Sequence, residues 1–267
     1  MSWEIYTPPT AEPIHLDEAK KHLVVDHTGD DVLIAGLITT ARHSVENELR
    51  RQLVAATVKY RLDAFPREIN LPRPPLMEVS SITYVDTAGD TQTLASTEYT
   101  VDKYTEISRV IPAWTKAWPA TRGIPNSVTV TAICGYAVPF TAATSDTITI
   151  SGLEPTDADK YRLSVSGGAT KALPSPLAIN TDYYIISATG ATCEFSTTSG
   201  GDAVTITDTG TGLFFLGEIP QPIVQALKII VGHLYEHREL VVTGQTVTKI
   251  PSSAQMLLSP YRTFWSD

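Results

Sequence analysis

The sequence predicts an α+β protein: a helical core of two long packed helices plus a short N-terminal one, an antiparallel β part, and an inserted all-β domain. Three observations predict it. Apolar residues recur every three to four positions from Asp30 to about Leu53 and again from Ile219 to Leu240. They recur every second position in segments between Thr57 and Cys134. From about Pro139 to Gly217 the composition shifts, with Thr, Ser, Gly and Asp dominant and Trp and His absent. The expected boundaries are 1–138 with 218–240 for the discontinuous core, 139–217 for the insert, and 241–267 for a C-terminal docking tail. A chain of 267 residues that is 42% hydrophobic can bury a real core.

In chain order, Pro8, Pro9 and Pro13 keep the start extended, because proline fixes φ and lacks a donor. LDEAKKHL at 16–23 places acids before lysines, as a helix dipole favours. Asp30 is then a fitting N-cap for the long helix. On that helix Ile34, Leu37, Ile38, Ala41, Val45 and Leu49 form one stripe, with Thr39, Arg42, Glu46, Asn47 and Arg50 opposite. At roughly 1.5–3 kcal/mol for each large apolar side chain, the stripe supplies about 10 kcal/mol, so the helix needs an element to lie against. The helix after Pro220 and Pro222, striped by Ile223, Leu227, Ile230, Val231 and Leu234, is the expected partner.

Between them, Thr57–Phe65, Glu78–Asp86, Thr91–Leu94, Tyr99–Val101, Arg109–Pro112 and Ser127–Cys134 read as strands. Thr87–Asp90, with Gly89 free to take positive φ, closes a hairpin. Arg67–Pro75 is punctuated by prolines and holds only edge strand or extended chain, and Trp114, Trp118 and Pro119 read as a loop lid over the sheet. Inside the insert, Thr147–Ile150, Arg162–Val165, Asp182–Ser187, Thr192–Thr197 and Ala203–Thr207 are expected strands.

The net charge of −9 opposes a nucleic-acid binder that neutralises phosphates. No run of eighteen apolar residues occurs, and the N-terminus lacks a signal-peptide plan, so no membrane partner and a cytoplasmic origin are expected. Cys134 and Cys193 are too few for a disulfide framework and are expected to be reduced and buried.

Four stretches carry a resemblance: IHLDEAKKHLVVD at 14–26 with the long helix, INLPRPPLMEVSSITYVDTAGDTQTL at 69–94, AWPATRGIPNSVTVTAICGYA at 117–137, and IPQPIVQALKIIVGHLYEHRE at 219–239. Together they resemble the head-tail connector, or adaptor, family of siphophages, over nearly all of 13–138 and 218–262. The insert departs from the plain family form and is similar to a small β module that recurs in phage structural proteins. The resemblance implies a non-enzymatic virion protein of the neck, made in the host cytoplasm, that forms a dodecameric ring under the portal protein. Such a ring extends the DNA channel and offers a platform to tail-completion or stopper proteins, while DNA passes without sequence-specific binding. An acidic lining fits that passage, because few counterions are released. The tail carries Met256, Leu257, Leu258, Tyr261, Arg262, Phe264 and Trp265, residue types that anchor interfaces, and is expected to meet portal or a neighbouring subunit and to be mobile before it docks. Arg67, Arg73, Arg109 and Arg122, on loops beside prolines and aromatics, are weaker inter-subunit candidates.

Two rival readings come from other classes. His233-Leu-Tyr-Glu-His237 matches the H-x-x-E-H zincin order, which would put two imidazoles on one helix face with Glu236 activating water. The downstream acids, Glu239 and Asp267, are poor third ligands, so no catalytic residue, metal or cofactor is expected. Alternatively, the insert is a glycan- or surface-binding module. Its acidic loop of Glu154, Asp157 and Asp159 lacks EF-hand spacing and reads as a solvated turn.

Overall fold

In the computed structural model the two-residue repeats become two antiparallel sheets, and the helical repeats become helices in a separate unit. The structure describes residues 1–167, 171–237 and 251–264. The chain divides into two compact units, one made of Met1–Pro9, Arg50–Tyr136 and Thr263–Asp267, the other of Thr10–Leu49 and Ala137–Arg262.

The first unit contains β1 (Ser2–Thr7), β2 (Ala56–Leu62), β3 (Ile69–Leu71), β4 (Leu76–Val85), β5 (Thr91–Leu94), β6 (Tyr99–Asp102), β7 (Ser108–Pro112) and β8 (Val128–Cys134). A five-stranded sheet runs β1-β2-β8-β4-β5 and a three-stranded one β3-β7-β6. Their apolar faces share a core in which Val58, Tyr60, Ile82, Val128 and Val130 meet Ile69, Leu71 and Val110. Alternation explains it: β2 buries Ala56, Val58 and Tyr60 and turns Lys59 and Arg61 outward. The extended start thus finds a partner in β2, and the proline-rich stretch supplies only the three residues of β3. Tyr60 donates its hydroxyl to the Pro72 carbonyl, and burial pushes the neighbouring Cys134 thiol up to about 11. At the hairpin, Asp86 Oδ1 accepts from the backbone N–H groups of Ala88, Gly89 and Asp90, which fixes the turn that Gly89 permits at φ +102°.

The second unit contains α1 (Leu16–Leu23), α2 (Asp31–Leu49), β9 (Ala137–Ala142), β10 (Ile148–Ile150), β11 (Lys160–Ser166), β12 (Asp182–Thr189), β13 (Thr192–Ser196), β14 (Leu213–Gly217), α3 (Gln221–Glu236) and α4 (Ser252–Leu258). The six strands close a barrel in the order β10-β13-β12-β11-β14-β9, which leaves no free edge. Phe140, Tyr183, Phe195 and Phe214 contact one another by their rings and are buried with Ile148, Ile150, Leu163 and Ile185. Cys193 lies among the buried residues, and its thiol is pushed up to about 12 by burial and then by nearby acids.

Two details differ from expectation. Ala203–Thr207 is not a strand: its amides reach scattered acceptors, Val204 N to Phe195 O, Ile206 N to Asp146 Oδ1 and Thr207 N to Ser175 O, instead of one ladder. The closing strands β9 and β14 are instead AVPFTA and LFFLG, apolar runs without a clean alternation.

The helices pack within this unit, α2 on α3, α1 on both, and α4 on α3. The α3 stripe of Ile223, Ala226, Leu227, Ile230 and Val231 is buried, while Leu234 is half-buried. On α2, Ile34, Ile38, Ala41, Val45 and Leu49 are buried and Leu37 only half so.

Candidate functional site

The fold uses several charged groups internally. Arg42 and Glu46, expected on the solvent side of α2, are 4% and 1% exposed. The reason is an acid outside the helix. Glu12 receives Arg42 Nε at 2.7 Å and Nη2 at 3.2 Å, a two-pronged bond, while Arg42 Nη1 reaches Glu46 at 3.1 Å, one helical turn away. Burial alone would lower the guanidinium pKa, and the two carboxylates raise it instead.

A second polar junction ties α1 to the barrel. Glu18 Oε1 lies 2.5 Å from Lys228 Nζ of α3, and its Oε2 accepts from Ser166 Oγ at 2.8 Å and Gly167 N at 3.3 Å. Ser166 Oγ in turn accepts the His15 backbone N–H at 2.8 Å. A small cleft of about 70 Å³ beside it is lined by Glu18, Ser164, Phe215 and Glu218. Burial pushes the Glu18 pKa up, but the Lys228 and Ser166 hydrogen bonds outweigh it and the net shift is downward. A carboxyl whose folded pKa is depressed stabilises the fold above its unfolded pKa and loses that contribution as pH falls through the folded value. Glu18→Gln is therefore expected to melt below the wild type at pH 7, with the gap closing as pH drops beneath the ordinary glutamate range. A gap that stays constant down to pH 3 in parallel thermal melts contradicts this account.

The expected interface residues divide by exposure. Seven residues cannot make a stable helix alone, yet Ala254 and Leu258 are buried, so packing on α3 holds α4, where a mobile tail was expected. Leu258 therefore serves its own unit. Leu257 and Tyr261 are half-buried, while Met256 and Phe264 remain 75% and 79% exposed. Arg262 reaches Glu48 of α2 at 3.4 Å, and Trp265 lies outside the described residues.

Of the four arginines expected on loops, Arg109 lies instead within β7, and Arg73 is buried, with its guanidinium 4.3 Å over the Trp3 ring and Nη1 donating to the Arg51 carbonyl at 3.3 Å. Arg109 pairs with Asp102 at 3.1 Å and Glu68 at 3.4 Å. Arg67 is exposed, and exposed Arg122 lies against Gly89, where an added Cβ would sit 2.1 Å from its Nη1. Trp118 stacks on Phe65 at 4.8 Å as a lid should, whereas Trp114 is 92% exposed.

The rings of His233, in α3, and His237, just past its end, stack with centroids 4.7 Å apart, and the Tyr235 hydroxyl donates to Asp30. The expected cap at Asp30 thus has its carboxylate engaged by α3. Among the described residues no three His, Cys, Asp or Glu side chains are grouped to hold a metal ion; Glu239 and Asp267 lie outside them.

Comparison with known proteins now adds to this geometry. Residues 13–104 match the family of phage gp6-like head-tail connector proteins. The match starts before α1 and ends after β6, so it includes Arg42, Glu46 and Glu18 and leaves out the barrel. No curated protein matches the chain. Among solved structures, similar chains come from the neck of an empty GTA particle computed with C6 symmetry and from the virion of a native gene transfer agent (GTA) particle. Each has a TM-score of 0.58 at 14% identity over 100% of this chain and 97% of the other. A chain from the neck of a native GTA particle computed with C12 symmetry has a TM-score of 0.56 at 14% identity and the same coverage. The likeness is one of fold, and its full coverage takes in the barrel.

Proposed function

We propose that this chain, whose residues 13–104 match a family of head-tail connectors, is the subunit of a ring in the neck of a phage-like particle. Copies assemble beneath the portal, extend the DNA channel and present a platform to tail-completion or stopper proteins. The observation that carries the reading is the fold likeness over the whole chain to neck proteins solved with C6 and C12 symmetry, joined to the connector match. A net charge of −9 suits a conduit through which DNA slides without specific binding. The stretch 139–217, which holds most of the barrel, is an inserted domain on this reading, and assembly takes place in the host cytoplasm. Negative-stain imaging of the purified chain, alone and with portal, tests it. Rings in either sample support the reading, and single particles of monomer size in both overturn it.

Met256, Leu257, Tyr261, Arg262, Phe264 and Trp265 are the proposed docking residues toward portal or a neighbouring copy. Because Met256 and Phe264 are exposed, changing them tests docking apart from folding. Met256→Ser with Phe264→Ser is expected to leave the melting temperature unchanged and to weaken portal binding by about tenfold or more, as removal of apolar anchors does. Undiminished binding in a titration against immobilised portal would remove the tail from the interface.

A further inference from the structure

Among the described residues, both outer strands of the five-stranded sheet are open. β1 pairs only with β2, and β5 only with β4. Every residue of β1 except the half-buried Ile5 is exposed, and so is every residue of β5 except Leu94. A strand edge left bare is normally guarded by lysine, proline or a covering element. Neither strand has an internal proline or lysine, and the one charge, Glu4, is engaged by Arg61 at 2.5 Å. β1 also presents Trp3 and Tyr6, the strand-favouring aromatics that make an edge adhesive.

We infer that β1 of one copy joins β5 of the next, so that the sheet continues from subunit to subunit around the ring. The inference rests on the ring reading and adds the joint that builds it. Two different edges of one sheet make a head-to-tail contact, the kind that closes into a ring when the rotation permits. The occupant is a second copy because each chain carries both halves of the joint.

The direction of pairing follows from the topology. All four pairings inside the sheet are antiparallel, so the first and fifth strands run the same way. A ring of many subunits turns each copy by a small angle and preserves strand direction. The joint is therefore a parallel pair, slightly weaker per residue than an antiparallel one. A two-fold dimer would instead put β1 against β1 or β5 against β5 in opposite directions.

Cysteine cross-linking reads the direction, and Cys134 and Cys193 stay out of it because both are buried. In a parallel joint Ser2 and Thr91, at the starts of their strands, are neighbours. The full chain with Ser2→Cys and Thr91→Cys, treated with a short bis-maleimide, is expected to give a ladder of covalent multimers on a denaturing gel, while either substitution alone gives none. Thr7→Cys with Thr91→Cys is expected to give a much weaker ladder. Thr91→Glu with Thr93→Glu, placed near Glu4 of the next copy, is expected to raise the concentration needed for assembly at least tenfold with unchanged monomer circular dichroism. A covalent dimer from a single substitution, or a ladder only from the Thr7 and Thr91 pair, overturns the parallel joint. Rings in the microscope without any ladder overturn the joint and leave the ring standing. A chain that stays monomeric even with portal overturns both.

Discussion

Gly135→Ala is expected to destabilise the first unit by about 3–5 kcal/mol, a large share of the 5–15 kcal/mol that holds a typical domain. Gly135 follows β8 at φ +153°, where a Cβ would lie 2.6 Å from Ala55 N, 2.7 Å from Ala55 Cα and 2.9 Å from Val54 C. Those atoms are backbone and cannot rotate aside. The segment is also pinned, since Gly135 N donates to Pro75 O at 2.9 Å and Tyr136 N to Leu53 O at 3.0 Å. Relief of the clash would break one of these bonds and shift β2, which begins at Ala56. Gly123→Ala is the control, for Gly123 also has positive φ, +73°, but open space around it, so only the conformational cost of about 1–2 kcal/mol applies. Urea denaturation of both variants checks the difference. Equal losses would show that the close approach at Gly135 relaxes freely.

The elements were legible where one periodicity governs one stretch. The stripe on α2 and the alternation in β2 and β8 mark buried residues, and the turn at Gly89 follows from residue chemistry. Legibility ended where pairing is long-range or apolar on both sides. β9 and β14 lack alternation, and their pairing joins Ala137 to Gly217, eighty residues apart, which no local window reveals. Ala203–Thr207 has strand composition without strand partners. Among candidate site residues, Arg73 looked like a loop arginine, but its guanidinium lies over Trp3, whose placement in β1 no periodicity foretold. The tail aromatics were legible as a cluster, but the split between buried Leu258 and exposed Met256 depends on which face α3 offers.

The same limit explains Arg42, and the second large effect follows from it. Position 42, expected opposite the stripe, stands one helical turn after Ile38 and so flanks the stripe, and burial there needs a partner for the charge. The Glu12 carboxylate, thirty residues upstream, changes the outcome by making burial of the guanidinium tolerable. Arg42→Met keeps much of the side-chain volume but takes the guanidinium from Glu46, which is 1% exposed, and from Glu12. Taking the Arg42 guanidinium from a buried carboxylate is expected to lower stability by about 3–5 kcal/mol, discounted toward the lower figure because Glu12 can turn to water. The pair itself need not stabilise the fold: two apolar residues of similar volume often replace a buried ion pair without loss. Arg42→Met with Glu46→Leu is therefore expected to recover most of the deficit, whereas Glu12→Gln alone, at a half-exposed site, is expected to lose about 1 kcal/mol or less. Thermal and urea unfolding of the three variants make a mutant cycle. If the double substitution is as unstable as Arg42→Met alone, the cost arises from packing around position 42 and not from the loss of the guanidinium beside Glu46.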